Sequence, residues 1–366
     1  MPARNYAKWK QVPGELKPGE YVDSRIYSDP EIFKKEISSI FKKVWIPVCH
    51  ESELPEVYNF RTSTIANIPV MVHRGQDGKV TAYANTYERR PRGTYEDTPQ
   101  QPTLKCEVVL GGFVWVTLNE DGPTVEEWVD GAFDCMRESL DSEPLDIFHY
   151  HKAIIPCNFK LWHDTNSEFY HDYLHYHNRI TGFNDSYFKR ENKCFNNGHV
   201  NVGSFEVQYD QYEGFESREE LSFPHLPTNH WEMIDMFPGI NFNLRGSALR
   251  VDVMTPLSPD KVMIEFRGLG LKSDTPEERV IRQRHHNSIW GPFGRNLHED
   301  LIAVSTQQTA MNDSADNRRI LHGRHEDNTI HDEVGMRHFY DEWGKWVDLW
   351  PGNPELSYEE GLKLAA

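Results

Sequence analysis

Cysteine is scarce in this 366-residue sequence, which contains five and no Cys-x-x-Cys pair. An odd number of widely spaced cysteines argues against a disulfide framework and favours a reduced compartment. The sequence also has no run of 18 or more apolar residues, and its first ten residues lack the apolar stretch of a signal peptide. These absences predict a soluble, cytoplasmic protein with free thiols.

Positive charge is scarce as well, because 39 Lys and Arg residues face 57 Asp and Glu residues and the net charge is −18. Nucleic acids and anionic membranes attract basic surfaces, so neither is an expected partner. Apolar residues make up 38% of the chain and aromatic residues 12%, which is enough for a large buried core. Histidine is the abundant exception, with 18 residues, and it is the commonest metal ligand in proteins.

The stretch from 45 to 118 has the alternating pattern and turn signals of short strands. Strands are predicted at 60–65, 68–73, 80–85 and 112–118, with a hairpin turn at 75–78. The parts before and after it, 1–44 and 119–366, mix helical patterns with strands at 240–244, 248–254 and 261–269. The sequence therefore predicts an α+β fold, with an antiparallel β domain over 45–118 and an antiparallel sheet flanked by helices in the remainder.

The densest group of polar side chains includes four histidines within 15 residues, namely His163, His171, His175 and His177. On a helix, His171 and His175 would lie one turn apart on the same face, where two imidazoles can share a metal ion. Glu168 would share that face. A histidine-rich helix can also be a solvated surface, but the neighbouring tyrosines indicate partial burial, and buried histidines need partners.

Two histidines leave a metal ion short of ligands. A 2-His-1-carboxylate site with open positions is the arrangement of non-haem iron oxygenases. The third ligand is expected from Glu299 or Asp300, which open a helical pattern that runs to Gln308, and Asp300 is the predicted ligand. Seven aromatic residues are candidate walls of an apolar pocket: Phe159, Trp162, Phe183, Phe205, Phe237, Phe242 and Trp290.

These features together resemble the α subunits of Rieske-type non-haem iron oxygenases over most of the chain. The stretch 27–55 resembles the entry into the Rieske domain of that family, and 112–118 resembles the strand that closes it. The iron motif of the family, (Asp/Glu)-x3-4-(Asp/Glu)-x2-His-x4-5-His, is matched by Asp164, Glu168, His171 and His177. The segment from Glu299-Asp300 to Gln307 resembles the one that supplies the carboxylate ligand.

The resemblance implies a helix-grip-type catalytic domain over 1–44 and 119–366, with mononuclear Fe(II) as its cofactor. His171, His175 and Asp300 would be the metal ligands, and Glu168 and Asp164 would have catalytic roles. The second histidine stays open, because a five-residue gap in the motif selects His177 whereas helical i, i+4 geometry selects His175. We favour His175, since a regular helix gives that geometry without distortion.

The sequence departs from the family at the iron–sulfur cluster, whose ligands are Cys-x-His and a later Cys-x-x-His. Tyr87 stands in the first cysteine position and Arg89 in the first histidine position, and the segment from 90 to 104 looks shortened. None of the five cysteines begins either motif. The β domain is therefore predicted to lack a [2Fe–2S] cluster.

A ferrous oxygenase without its own cluster needs another source of electrons. In the family, electrons arrive from the cluster of a neighbouring subunit through an acidic residue beside an iron-ligating histidine, and Glu168 occupies that position. The resemblance implies an oxygenase component that uses O2 to hydroxylate, dihydroxylate or demethylate a small organic substrate, in a trimer-based oligomer. Its electron donor would be a cluster-bearing paralogous subunit, or a ferredoxin with its reductase. The rival hypotheses are a non-catalytic paralogue that assembles with an intact subunit, and a metal-dependent enzyme without redox chemistry.

Overall fold

The computed structural model describes residues 21–84, 102–207, 221–227, 229–313, 319–321 and 333–349. Its α-helices are α1 Pro30–Glu36, α2 Val125–Val129, α3 Arg137–Asp141, α4 Phe159–Ser167, α5 Tyr176–Thr181, α6 Asp185–Phe188, α7 Pro276–Trp290, α8 Arg295–Asp313 and α9 Val334–Val347. A π-helical turn, Ile37–Phe41, continues α1. Within the described ranges, no helix is both long enough and apolar enough to cross a membrane.

The strands form two large antiparallel sheets and a small pair. They are β1 Tyr21–Asp23, β2 Ile46–His50, β3 Phe60–Ile65, β4 Ile68–Arg74, β5 Val80–Ala84, β6 Thr103–Val109, β7 Phe113–Thr117, β8 Leu145–Ile155, β9 Lys193–Cys194, β10 Val200–Glu206, β11 His230–Met236, β12 Ile240–Arg245, β13 Ala248–Ser258, β14 Lys261–Leu271 and β15 Arg319–Leu321. The first sheet has the order β2-β7-β6-β5-β4-β3, and the second has the order β8-β14-β13-β12-β11-β10-β9. β1 pairs with β15.

The second sheet is built largely from meandering neighbours, because β10 to β14 follow one another in both sequence and space. β13 and β14 are 11 residues each and are buried along most of their length. Strands that are buried on both faces need cover on both, and α7 lies against β13, β14 and β8. Thr275 starts α7 in a capping box with Glu278, whose carboxylate accepts the Thr275 N–H.

The two large sheets share one hydrophobic core. Phe242 of the second sheet packs edge-on against Phe113 of the first at 5.0 Å between ring centroids, and Trp115 stacks on it at 6.1 Å. Arg267 of β14 reaches across to Glu53, with Nε 2.9 Å from the carboxylate, and it also donates to the Val48 carbonyl. Apolar contact and a buried ion pair therefore fix the first sheet against the second.

A buried ion pair positions α4, the helix that leads into the candidate site. Lys160 donates from Nζ to the Glu36 carboxylate of α1 at 2.5 Å, and both side chains are buried. The Trp343 indole of α9 donates to the same carboxylate at 2.8 Å. Burial lowers the pKa of Lys160 and raises that of Glu36, whereas the contact between them opposes both changes. The N-terminal and C-terminal helices are thus tied to α4.

The predicted α+β fold class is confirmed, with an antiparallel sheet near the N-terminus and a larger antiparallel sheet flanked by helices. The first sheet begins at Ile46 and ends at Thr117. The segment 85–101, which contains Tyr87 and Arg89 at the expected positions of cluster ligands, lies outside the described residues.

Candidate metal centre

His171 and His175 do not lie on one helix, so this part of the prediction is wrong. α4 ends at Ser167, His171 belongs to a 3-10 turn over Tyr170–Tyr173, and His175 is the residue that precedes α5. Glu168 causes the break, because its carboxylate accepts the main-chain N–H groups of Tyr170 at 2.7 Å and His171 at 3.2 Å. A carboxylate that caps the next turn in this way competes with continuation of the helix.

The tight turn nevertheless brings the two imidazoles together, with 5.4 Å between ring centroids. His175 has an extended backbone, with φ −64° and ψ 122°, which redirects the chain into α5. His175 is buried and His171 is partly buried. The four-residue spacing therefore correctly indicates that the two histidines are neighbours. The reason differs from the predicted one, because a tight turn and not an α-helix connects them in the described segment.

Asp300 of α8 faces both histidines. Its Oδ1 lies 3.4 Å from Nε2 of His175 and 3.8 Å from Nε2 of His171. α8 is held beside α4 by Gln308, whose side-chain carbonyl accepts the Asn158 N–H at 2.7 Å and whose amide donates to the Tyr27 carbonyl. The Asp300 carboxylate, from a distant part of the sequence, thus lies within 3.8 Å of both imidazoles.

The other nitrogen of each imidazole is held by a carboxylate. His171 donates from Nδ1 to Glu168 at 2.7 Å, and His175 donates from Nδ1 to Glu299 at 2.6 Å. Metal-ligating histidines characteristically donate their second N–H to a carboxylate, which fixes the tautomer and the ring orientation. Glu299, which was the alternative third ligand, takes this supporting position instead.

The two separations from Asp300 to the imidazoles are compatible with a shared metal ion. Two ligand atoms on one ion, each at a bond length of about 2.1 Å, lie roughly 3 Å apart. The separations of 3.4 and 3.8 Å exceed those of a good direct hydrogen bond and require only a small contraction around an ion. Two neutral imidazoles and one carboxylate, with room for further ligands, match the preference of non-haem iron.

Asp172 is a second acidic neighbour, which the motif spacing did not indicate. Asp172 offers one possible ligand atom, which lies within 4.8 Å of one ring nitrogen of His171 and one of His175, and these two nitrogens lie within the same distance of each other. The Asp172 carboxylate is 4.0 Å from Nε2 of His171, however, and its other oxygen accepts the Tyr187 hydroxyl at 2.7 Å. Asp300 faces both imidazoles and is the more buried of the two, so it is the better third ligand.

His177 points elsewhere. It lies in α5 on an exposed position, and its ring packs edge-on against Tyr176 at 5.8 Å. His163 lies in α4 with Nδ1 2.9 Å from the Asp235 carboxylate. Neither residue lines the cavity that contains His171, His175 and Asp300. This placement favours His175 over His177 as the second ligand.

The electrostatics of the cluster suit a bound cation. Burial lowers the pKa of His171, but Glu168, Asp300 and Asp172 outweigh it and raise that pKa to about 10. Burial raises the pKa of Asp300, while His171, His175 and Arg250 oppose the rise. The cluster therefore attracts positive charge at the imidazoles, and a metal ion would supply that charge after displacing the proton.

Asp164 lies outside the cavity wall, although the sequence analysis expected a catalytic role for it. Its carboxylate accepts hydroxyls of Tyr27 at 2.7 Å and Tyr340 at 3.2 Å, which join α4 to the N-terminal and C-terminal parts of the chain. Burial raises the pKa of Asp164 to about 7, against opposing effects of His163, both tyrosines and Lys160. The geometry gives Asp164 a structural role.

Asp164→Asn is expected to make folding stability less dependent on pH. Because the folded-state pKa lies above the ordinary value of 3.8, stability is lost as pH rises towards about 7. Between pH 5.5 and 8.0, ionisation of this carboxyl should lower the free energy of unfolding by about 2 kcal/mol, at about 1.4 kcal/mol per pKa unit. Urea unfolding at both pH values measures this, with Asp141→Asn as a surface control. Parallel pH dependence in the Asp164 variant and the unmodified protein would contradict the assignment.

The cluster opens on a cavity of about 90 Å³. Its walls include four of the seven aromatic residues predicted to line a pocket: Trp162, Phe183, Phe205 and Trp290. The other three, Phe159, Phe237 and Phe242, are buried in the hydrophobic core. Three arginines that the sequence analysis did not single out also line the cavity: Arg190, Arg245 and Arg250.

An α+β chain with two histidines and a carboxylate on the wall of a cavity matches the arrangement expected of a Rieske-type oxygenase α subunit. The chain belongs to the family of ring-hydroxylating α subunits, whose catalytic-domain model matches residues 139–349. This family membership makes the chain an oxygenase catalytic component.

Two relatives match nearly the whole chain. It is 56% identical to methanesulfonate monooxygenase hydroxylase subunit alpha of Methylosulfonomonas methylovora, over 98% of each chain. It is 34% identical to 2-aminobenzenesulfonate 2,3-dioxygenase subunit alpha of an Alcaligenes species, over 90% of this chain and 94% of that one. The first match runs over 407 aligned positions, more than the 366 residues of this chain, so that relative contains residues that this chain lacks.

Solved structures show the same fold at low identity. A quaternary ammonium Rieske monooxygenase superposes with a TM-score of 0.70 at 16% identity, over 90% of this chain and 95% of that one. Naphthalene 1,2-dioxygenase superposes with a TM-score of 0.71 at 14% identity, over 95% and 97%. These similarities confirm the fold class and carry no information about substrate.

Proposed function

We propose that His171, His175 and Asp300 hold one Fe(II) ion and that the chain is the oxygen-activating component of a Rieske-type oxygenase. The observation that carries this proposal is the convergence of two imidazole Nε2 atoms on one buried carboxylate, with each Nδ1 held by a glutamate. Three protein ligands leave open positions, and a cavity adjoins them.

When bound, ferrous iron supplies activation of O2 beside the substrate. For a hydroxylation, the balance is C–H plus O2, two electrons and two protons, giving C–OH and water. The residues of this chain would orient the ion, exclude bulk water and position the substrate. Glu168 and Glu299 hold the ligand imidazoles in one tautomer, and Phe183, Phe205 and Trp290 provide apolar cavity walls. Dihydroxylation and demethylation would differ from hydroxylation in which substrate atoms the cavity places beside the iron.

The electrons, we propose, come from a Rieske cluster on another polypeptide. Residues 45–118 would form a Rieske-like domain without its cluster, because no Cys-x-His or Cys-x-x-His occurs in the sequence. The donor would be a cluster-bearing paralogous subunit in a mixed, trimer-based oligomer, or a ferredoxin with its reductase.

The substrate we propose is a small organosulfonate. The relatives at 56% and 34% identity are both named for sulfonates, one aliphatic and one aromatic. A cavity of about 90 Å³ suits a small molecule, and three arginines on its walls suit an anion. Methanesulfonate is the first substrate to test.

The experiment compares two ways of driving turnover of methanesulfonate by the Fe(II)-loaded protein. With reductase and NADH alone we expect about one iron per chain, no iron–sulfur absorption and no oxygen uptake, because the reductase cannot reach the iron without a cluster. Addition of a cluster-bearing α subunit should restore oxygen uptake. Hydrogen peroxide, which brings both the oxygen atom and the electrons, should support product formation by the chain alone.

Two outcomes would contradict this account. A cluster signal stoichiometric with the chain would remove the need for an external donor. Full iron loading without product formation, under both peroxide and partner-driven conditions, would favour the rival function of a non-catalytic paralogue. The loss of the cluster motifs is the observation that favours that rival.

A further inference from the structure

Arg190 is only 2% exposed and lines the same cavity as the histidine cluster. Four aromatic rings surround its guanidinium carbon: Tyr187 at 4.3 Å, Phe169 and Phe205 at 4.6 Å, and Trp231 at 4.8 Å. Aromatic faces stabilise a guanidinium by cation–π attraction and stacking. They satisfy none of its N–H groups.

The hydrogen bonds of Arg190 are incomplete within the part of the chain that the structure describes. Nε donates to the Tyr187 carbonyl at 3.3 Å, whereas Nη1 and Nη2 are buried and have no protein acceptor there. A buried donor without an acceptor is costly, and a ligand or an ordered water molecule can complete its hydrogen bonds. Two adjacent Nη groups form the fork that binds two oxygens of a carboxylate, phosphate or sulfonate.

The other two cavity arginines differ from Arg190. Arg250 is committed to Asp252, because Nε and Nη2 both donate to that carboxylate. Arg245 is only partly buried, and its guanidinium lies 5.9 Å from the Trp290 ring. Arg190 is therefore the cavity arginine that combines full burial with a free bidentate edge.

The charge of the cavity also favours an anion once a metal is present. Its walls carry three arginines and three carboxylates, namely Asp172, Glu206 and Asp300. Burial lowers the pKa of Arg190 to about 10, against opposing effects of Tyr187 and Asp172. Asp252 already neutralises Arg250. A divalent cation at the histidine cluster would add positive charge to the cavity and so favour an anion beside it.

We propose that Arg190, within its aromatic cage, is the specificity-determining residue that binds the anionic end of the substrate through Nη1 and Nη2. This inference rests on the proposed function for the identity of the reacting site. Phe169 contacts both sites, because its ring lies 4.6 Å from the Arg190 guanidinium and 6.5 Å from the His171 ring. The acidic group would sit at Arg190 and the alkyl or aryl group would extend towards the histidines.

The test is isothermal titration of the full chain with methanesulfonate and with dimethyl sulfone, a neutral molecule of nearly the same shape. We expect the unmodified protein to bind methanesulfonate at least tenfold more tightly. Arg190→Gln should reduce this preference to within about twofold, because it removes the charge and the fork. Arg190→Lys keeps a charge without the fork and should retain part of the preference. Arg137→Gln, at a surface ion pair with Glu126, is the matched control and should retain it all.

An unmodified protein that binds both probes equally would overturn the proposal, even if Arg190→Gln fails to fold. So would a folded Arg190→Gln variant that keeps the preference, or loss of the preference in Arg245→Gln alone. Iron content and oxygen uptake are measured separately on the same preparations. Selective anion binding without iron would therefore overturn the proposed function and leave this inference standing. Iron binding and oxygen uptake without a preference for the anion would overturn this inference and leave the proposed function standing.

Discussion

His175→Ala is expected to purify as a folded protein that has lost its iron. Iron per chain should fall from about one to below about 0.1, because removal of one of three protein ligands leaves His171 and Asp300 with too few donors. Oxygen uptake with a cluster-bearing partner and peroxide-driven turnover should both fall by at least about 100-fold, since each depends on the metal. Iron analysis and both assays measure the effect directly.

His177→Ala is the matched control for this prediction. His177 is two residues away and exposed, whereas His175 faces Asp300 at 3.4 Å. Iron content and turnover should stay within about twofold of the unmodified protein, as is usual for an exposed substitution. Loss of iron in His177→Ala alone would show that the five-residue gap of the family motif, and not the geometry described above, identifies the second ligand.

Asp300→Asn and Asp172→Asn settle the third ligand in the same assays. Asp300 faces both imidazoles, so we expect its variant to lose iron as His175→Ala does. Asp172 accepts the Tyr187 hydroxyl, and its variant should keep iron. The reverse pattern would place Asp172 in the metal site.

The sequence predicted much of the fold because its signals are local. The glycines at 75 and 78 join β4 to β5 in the predicted hairpin turn. The strands at 240–244, 248–254 and 261–269 also form as predicted, as β12, β13 and β14. In these cases the spacing of apolar residues and the turn chemistry favour the same local structure.

The structure differs from the site predictions at two points, one caused by a local hydrogen bond and one by hydrogen bonds between distant parts of the chain. The continuous helix over His171 and His175 fails where Glu168 binds the main chain of the next turn. Asp164 was expected in the reaction, but Tyr27 and Tyr340 hold it from the opposite ends of the chain. Local sequence patterns do not predict such long-range hydrogen bonds.

Arg190 illustrates the same limit for specificity. It follows Tyr187-Phe188-Lys189, an unremarkable aromatic and basic stretch, and nothing near it in sequence indicates burial. Its cage is assembled from Phe169, Phe205 and Trp231 on other elements, together with Tyr187. Residues from many separate segments line a pocket of this kind, so its chemistry can be recognised only from the three-dimensional structure.

Glu168→Gln is expected to lower turnover driven by a cluster-bearing partner by about 10- to 100-fold while iron stays bound. Glu168 holds His171 at 2.7 Å, and Glu299 holds His175 in the same way at 2.6 Å. Glu299→Gln is therefore a matched control for loss of imidazole orientation alone. If Glu168 is also where electrons enter, its variant should lose substantially more partner-driven turnover than the Glu299 variant.

Peroxide-driven turnover separates these two contributions, because it requires no electron transfer from another polypeptide. Impaired orientation of an imidazole should lower peroxide-driven and partner-driven rates together. A blocked electron route should lower only the partner-driven rate. We expect Glu168→Gln to keep peroxide-driven turnover within about threefold of Glu299→Gln, since each variant weakens the support of one ligand histidine. Equal losses of Glu168→Gln in both assays would restrict Glu168 to positioning His171 and would place the electron route elsewhere.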